Sequence, residues 1–264
     1  GASETTANIG PTYANLIHGP LVPVANEPVT VAVEAADPDG VQSLTLRYAV
    51  GGGALQSTPM TLSGGVYRGT IPGQAANAIV QFFVEGRDAL NALSTFPADG
   101  AASRALYKVG TTTNSASLHN LQIIVTAADS AILGASTNLM SNAPVGATVV
   151  YEGRVYYDVG VRLKGSEHGR PDINRRGFML EFPPDNLFRG IHKSVGIDRS
   201  GGWRYGRQNG QEEIVIHHFI AAAGGVPTSY NDLVYVEAPG VSTGTAILQM
   251  GRFTNLYLDS QYES

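Results

Sequence analysis

From Pro28 onward, apolar and polar residues alternate in short runs. Val29, Val31 and Val33 share one face, as do Leu44, Leu46 and Tyr48, and the runs Val66 to Ile71, Ile79 to Val84 and Ala105-Leu106-Tyr107 follow. A period of two sends successive side chains to opposite faces, so each run is predicted as a strand with one buried face. Asp37-Pro38-Asp39-Gly40, Gly51-Gly52-Gly53 and Ser63-Gly64-Gly65 stand between runs. These residues supply preset or positive φ for tight turns. Short strands at this spacing, with no helical period, predict an antiparallel β-sandwich of immunoglobulin or fibronectin type over residues 20–109. Residues 1–19 carry no consistent period and read as a lead-in. Residues 110–117, Gly-Thr-Thr-Thr-Asn-Ser-Ala-Ser, have nothing to bury and read as a linker.

The pattern after the linker is mixed. Leu121 to Val125 predicts a buried strand, and Ala127 to Leu133 a short helix opened by Thr126. Two strands are expected at Ala147 to Tyr151 and Val155 to Leu163, the second turning Tyr157, Val159, Val161 and Leu163 to one face. Another is expected at Arg176 to Phe182. Gln211 to Ala223 predicts the one longer helix, with Glu212 and Glu213 at its positive N-terminal end, Ile214, Phe219 and the alanines toward a core, and Gly224-Gly225 as its stop. Leu233 to Val236 and Ala246 to Met250 complete the expected strands.

Composition narrows the class. With 43% apolar residues the 264-residue chain is globular, and its length suits about two domains. Only 15% of residues are charged, while Gly reaches 32, so the surface is predicted to be polar and uncharged in the style of a secreted or cell-surface protein. The absence of cysteine excludes a disulfide scaffold, a thiol nucleophile and Cys-ligated zinc. No apolar run is long enough to predict a membrane span. The chain opens on Gly1-Ala2-Ser3 and closes directly after a patterned segment, which reads as a processed or excised piece.

Charge is unevenly placed. The net charge is −5, yet between residues 162 and 207 ten Lys and Arg stand against five Asp and Glu. Gly165-Ser166, Gly169 and Gly201-Gly202 interrupt that segment. Guanidinium forks and ammonium groups beside glycine-rich backbone are what a phosphate requires, although a solvated basic face has the same composition. The cluster is short and only Trp203 and Tyr205 interleave it, so nucleic acid is not expected as a partner. Glu213 four residues before His217, followed by His218, has the spacing of a metal face but lacks a third ligand. Asp37, Asp39 and Asp88 can gather at one loop end around Ca²⁺, although Asp-Pro-Asp-Gly is a good turn without an ion; no metal site is assigned. Neither Ser166 nor Ser200 sits in a nucleophile elbow.

Several segments taken in order resemble a known family. They are Val159-Gly160-Val161-Arg162-Leu163-Lys164-Gly165-Ser166, Arg175-Arg176-Gly177-Phe178 with Phe182, Leu187-Phe188-Arg189-Gly190, the Glu-bearing helix with its Gly224-Gly225-Val226-Pro227 exit, and Arg252-Phe253 through Leu256-Tyr257-Leu258-Asp259-Ser260-Gln261-Tyr262. Together they resemble the CotH family of spore-coat-type atypical protein kinases, over residues 118–264. Arg175-Arg176 stand where lysines are common in that family, Asn255 where a Gly is usual, and Gln261 near an expected Glu.

The resemblance implies an α+β kinase-like N-lobe, truncated before its C-terminal lobe, behind the all-β sandwich. It implies ATP and Mg²⁺ as cofactors and protein Ser or Thr as phosphoacceptor. Nucleotide or phosphate binding would fall to Arg162, Lys164 and Arg176, with Glu213 as the helix carboxylate that orients the cation. The catalytic groups are expected beyond Ser264, so this chain alone is expected to be inactive. The alternative is a non-catalytic surface or extracellular binding module carrying a degenerate kinase-like region.

Overall fold

The computed structural model describes residues 8–110, 117–199, 210–224 and 228–250. The chain divides into two compact units, Gly1–Thr111 and Thr112–Ser264. Most of the expected linker, the helix exit 225–227, the segment containing Ser200, Trp203 and Tyr205, and the motif Arg252 to Tyr262 lie outside the described residues.

The first unit contains β1 (Thr12–Gly19), β2 (Val29–Ala36), β3 (Val41–Val50), β4 (Gln56–Pro59), β5 (Thr61–Ser63), β6 (Val66–Ile71), β7 (Ile79–Asp88), β8 (Leu93–Phe96) and β9 (Leu106–Lys108). One antiparallel sheet runs β1-β2-β6-β5 and the other β4-β3-β7-β8, with β9 also paired to β7. Val29, Val31, Val33 and Ile71 of one sheet and Leu44, Leu46, Val80, Phe82 and Val84 of the other are buried, as period-two alternation requires. Strand β1 falls within the stretch read from sequence as a lead-in. Its register on β2 shifts between Ala14 and Ile17, where Asn15 takes a positive φ of 56°. Such a bulge interrupts the alternation, which explains why residues 12–19 show no period.

The second unit corrects the expected α+β kinase-like lobe. Its strands are β10 (His119–Ile124), β11 (Val145–Tyr151), β12 (Arg154–Lys164), β13 (Gly177–Glu181), β14 (Ser194–Asp198), β15 (Tyr230–Glu237) and β16 (Gly244–Met250). They form a closed barrel in the order β10-β11-β12-β13-β14-β16-β15. Parallel pairing of β10 with β15 seals it, His119 lying opposite Val234 and Gln122 opposite Glu237. A barrel leaves no open edge, so the apolar face of every strand turns inward. Leu121, Val149, Val159, Val161, Leu163, Phe178, Leu180, Ile197, Val234 and Leu248 fill the interior.

Among the described residues the unit has two helices, α1 (Ala127–Gly134) and α2 (Gly210–Ala223). Thr126 caps α1 by accepting the Asp129 amide at 3.1 Å. Helix α2 packs on β15 and β16, but Phe219 remains 67% exposed and Ala221 to Ala223 are exposed, against the expectation that they face a core. A further correction concerns β12. Its register on β11 shifts between Ala147 and Val149, and Asp158 adopts a positive φ of 51°. The bulge resets the alternation, so Tyr156 joins the interior with Val159, Val161 and Leu163, in the place expected for Tyr157.

Candidate functional site

Alternation along β12 sends Leu163 into the barrel and Arg162 and Lys164 to its outer face. Lys164 pairs with Gly177 of β13, and because Phe178 lies opposite Ile197, the same register sets Gly177 opposite Asp198 of β14. Gly177 has no side chain to intervene, so Lys164 reaches across it and its ammonium pairs with the Asp198 carboxylate. Gly196 extends this bare floor: a Cβ there would stand 3.1 Å from the Gln249 side-chain oxygen and 3.6 Å from Lys164 Cε. Gln249, on β16 opposite Gly196, donates at 3.3 Å to Glu213 in the first turn of α2.

Lys164, Asp198, Gln249 and Glu213 thus come from four elements to one patch on the outside of the barrel. The patch offers an ammonium, an amide and two carboxylates above glycine backbone. That set can meet phosphate oxygens through Lys164 and hold a hard divalent cation through oxygen ligands.

The other residues singled out from sequence are placed differently. Arg162 donates to the Asn142 side chain at 3.3 Å and lies 3.8 Å from Glu181. Arg176 is buried, its Nε donating to the Arg170 carbonyl at 2.7 Å and its Nη1 to the Gly240 carbonyl at 3.1 Å. It works at the end of the barrel rather than on the outer patch. Ser166 accepts backbone amides of its own loop: its carbonyl takes those of Gly169 and Arg170, each at 3.0 Å. His217 Nδ1 lies 2.6 Å from Asn231 Nδ2 and 3.0 Å from Ser229 Oγ. The expected gathering of Asp37, Asp39 and Asp88 is present, with one oxygen of each within 4.8 Å of the others. Asp88 is fully buried and accepts from Asn8 at 2.6 Å and from the Ala92 amide at 2.7 Å, while Asp37 accepts the Asp39 amide at 2.8 Å. The Ala92 and Asp39 bonds belong to local turns, and the Asn8 bond ties the start of the unit to Asp88.

A constellation that sequence reasoning missed closes the barrel end where β11 finishes and β12 begins. Phe188 is fully buried there among Tyr151, Tyr156 and Phe182, with ring centroids 5.0–5.6 Å apart. Arg189 stacks over the Tyr151 ring at 5.2 Å, bonds its hydroxyl and lies 3.5 Å from Asp232. His119 sits between Glu152 at 3.4 Å and Asp232 at 3.9 Å. Burial pushes the Tyr151 hydroxyl above the ordinary tyrosine range. The Asn120 amide, donating at 2.8 Å, holds the Glu152 carboxyl below the carboxylate range. The available sequence signal was the pair Glu152-Gly153, whose φ values of 48° and 74° suit a two-residue hairpin turn.

No family model matches this chain, and no curated protein matches it. Among solved structures, the Br derivative of BhCBM56 is similar at 9% identity over 40% of this chain and 97% of that one, with a TM-score of 0.26. A cycloalternan-forming enzyme from Listeria monocytogenes, in complex with a pentasaccharide substrate, is similar at 9% identity over 70% of this chain and 17% of that one, TM-score 0.28. A cycloalternan-degrading enzyme from Trueperella pyogenes is similar at 11% identity over 71% and 30%, TM-score 0.25. At such scores these likenesses establish neither a shared fold nor a shared function. Among the described residues, no helix is long and apolar enough to cross a membrane.

Proposed function

We propose that the barrel unit is the nucleotide-binding part of a secreted or cell-surface CotH-type protein kinase, using ATP and Mg²⁺ to phosphorylate protein Ser or Thr. The observation that carries this reading is that Lys164, paired with Asp198, and Glu213, bonded to Gln249, border the same glycine stretch on the outside of the barrel. They are 49 positions apart, were singled out from the family resemblance as cation and orienting carboxylate, and lie in one patch with Asp198 and Gln249 over Gly177 and Gly196.

The residues of the patch fit the group. Lys164 would exchange its Asp198 partner for a phosphate oxygen, and Asp198 and Glu213 would turn to Mg²⁺. The bound metal would neutralise charge on the transferring phosphoryl group. Gln249 holds Glu213 in place.

Calorimetry on the chain with MgATP tests this. Binding is expected to be detectable and weak, and Lys164→Ala is expected to weaken it by about 1.5–3 kcal/mol, the cost of a charge-assisted hydrogen bond. Lys108→Ala in the first unit should leave it unchanged. The second reading, a non-catalytic binding or scaffold module, is favoured by the pairing of Lys164 with Asp198 and the approach of Arg162 to Glu181, which leave these cations partnered without any ligand. No binding at millimolar MgATP, or equal losses from both substitutions, would sink the nucleotide assignment and leave that reading ahead.

A further inference from the structure

The end of the barrel opposite the aromatic cluster is closed by arginines. Arg170 is buried and makes four bonds: Nε donates to the Gly165 carbonyl at 2.9 Å, Nη1 to the carbonyls of Leu139 and Ser141 at 3.0 Å each, and Nη2 to Asn142 at 2.9 Å. Arg176 and Arg199, also buried, each make two such bonds among the described residues, Arg199 to the carbonyls of Ile173 at 3.3 Å and Ser242 at 2.7 Å. A guanidinium carries five N–H donors. The Nε of Arg199 and the Nε of Arg175 are buried and have no hydrogen-bond partner among the described residues.

Neutral carbonyls do not cancel charge. None of Arg170, Arg175, Arg176 and Arg199 forms an ion pair among the described residues; Asp172 acts on Arg176 and Arg199 only from beyond contact, and Arg162 adds repulsion at Arg170. Burying a cation without a counter-charge costs several kcal/mol even after relaxation. Three buried guanidiniums at one barrel end, beside two buried Nε donors with no hydrogen-bond partner among the described residues, favour an anion as ligand.

We propose that this end of the barrel, formed by the loop 165–176, Arg199 and the loop 238–243, binds a tetrahedral oxyanion of phosphate type through Arg175, Arg176 and Arg199. Arg170 is the staple that holds the loop in position. The inference stands on the buried arginines and is independent of the Lys164 patch. A phosphate oxygen accepts several N–H bonds at once, and a phosphate supplies the charge that the backbone cannot. Inorganic phosphate and the phosphate tail of a larger ligand share this chemistry.

The test uses the whole chain with inorganic phosphate as probe, at constant ionic strength against chloride. Saturable calorimetric binding and a rising melting temperature are expected, since a ligand of the folded state stabilises it. Arg199→Lys should weaken binding at least tenfold. Should that variant fail to fold, Arg175→Gln, at a half-buried position with no described side-chain bond to lose, should give the same loss. Lys164→Ala should leave phosphate affinity within twofold, which separates this site from the nucleotide patch. Displacement of phosphate by ATP would identify a nucleotide tail as the natural anion; its persistence would identify an inorganic one, and either supports the site. Phosphate indistinguishable from chloride, or affinity unchanged in Arg175→Gln, would overturn the proposal.

Discussion

The two ends of the barrel are closed by opposite chemistry. At one, Phe188 fills the opening against Tyr151, Tyr156 and Phe182, and the charges around it pair among themselves, Arg189 with Asp232 and His119 with Glu152 and Asp232. At the other, Arg170, Arg176 and Arg199 are buried on backbone carbonyls without a carboxylate partner among the described residues. The first end is complete in itself. The second has its hydrogen-bond geometry but not its charge balance, and that difference locates the place where a ligand has most to contribute.

The largest effect should come from the self-sufficient end. Phe188→Ala removes a fully buried ring and should cost about 3–5 kcal/mol, read as the change in urea midpoint of the barrel unit. A loss below about 1 kcal/mol would mean that the ring is no plug.

Acid gives a contrast with the first unit. His18, 2% exposed and stacked on Tyr107, is pushed from the ordinary 6.5 to about 4, chiefly by burial. The unfolded chain therefore takes up this proton before the folded one does. Stability of the first unit is full above pH 6.5 and falls as pH drops toward 4, by up to about 1.4 kcal/mol per pH unit. Arginines do not titrate in this range, so the arginine end should contribute no such slope. Denaturation of His18→Phe should show the slope flattened; an unchanged slope would remove His18 from the account.

Arg170→Met tests the staple. It keeps an apolar stem but leaves the carbonyls of Leu139, Ser141 and Gly165 without their donor, and should cost about 2–3 kcal/mol. A neutral result would show that the loop stands without it. Smallest of all should be Arg189→Gly. It relieves a positive φ of 52° while losing a half-exposed pair, and the two effects, each about 1 kcal/mol or less, should nearly cancel in the same urea assay. A loss above about 2 kcal/mol would show that the stacked guanidinium, and not only the rings, seals that end.

What sequence could reveal follows from what is local. The faces of β2, β3 and β7 were legible because the alternation is unbroken at Val29-Val31-Val33 and Leu44-Leu46-Tyr48. The gathering of Asp37, Asp39 and Asp88 was legible too: the two Asp residues of the turn precede Val41, which pairs with Asp88. Closure of the barrel was hidden, because it depends on β10 pairing with β15, more than a hundred residues away, and on β14 pairing with β16, which is not its next strand in sequence. Two bulges, at Asn15 and Asp158, hid β1 and exchanged Tyr157 for Tyr156. The outward turn of Lys164 could be read from parity, but its partnership with Asp198 required the register that sets Gly177 between them. Arg176 was singled out as a phosphate ligand, and Arg170 and Arg199 were counted only in the basic segment; the burial of all three was hidden, since nothing in a sequence marks which guanidiniums meet carbonyls inside.

The central claim is that Lys164 and Glu213 act in one nucleotide site. A double-mutant cycle on MgATP binding, using Lys164→Ala, Glu213→Gln and the double variant, tests it most directly. Residues in one network couple, so the double loss should differ from the sum of the single losses by at least about 1 kcal/mol. Additive losses, or a wild-type chain that does not bind MgATP, would contradict it.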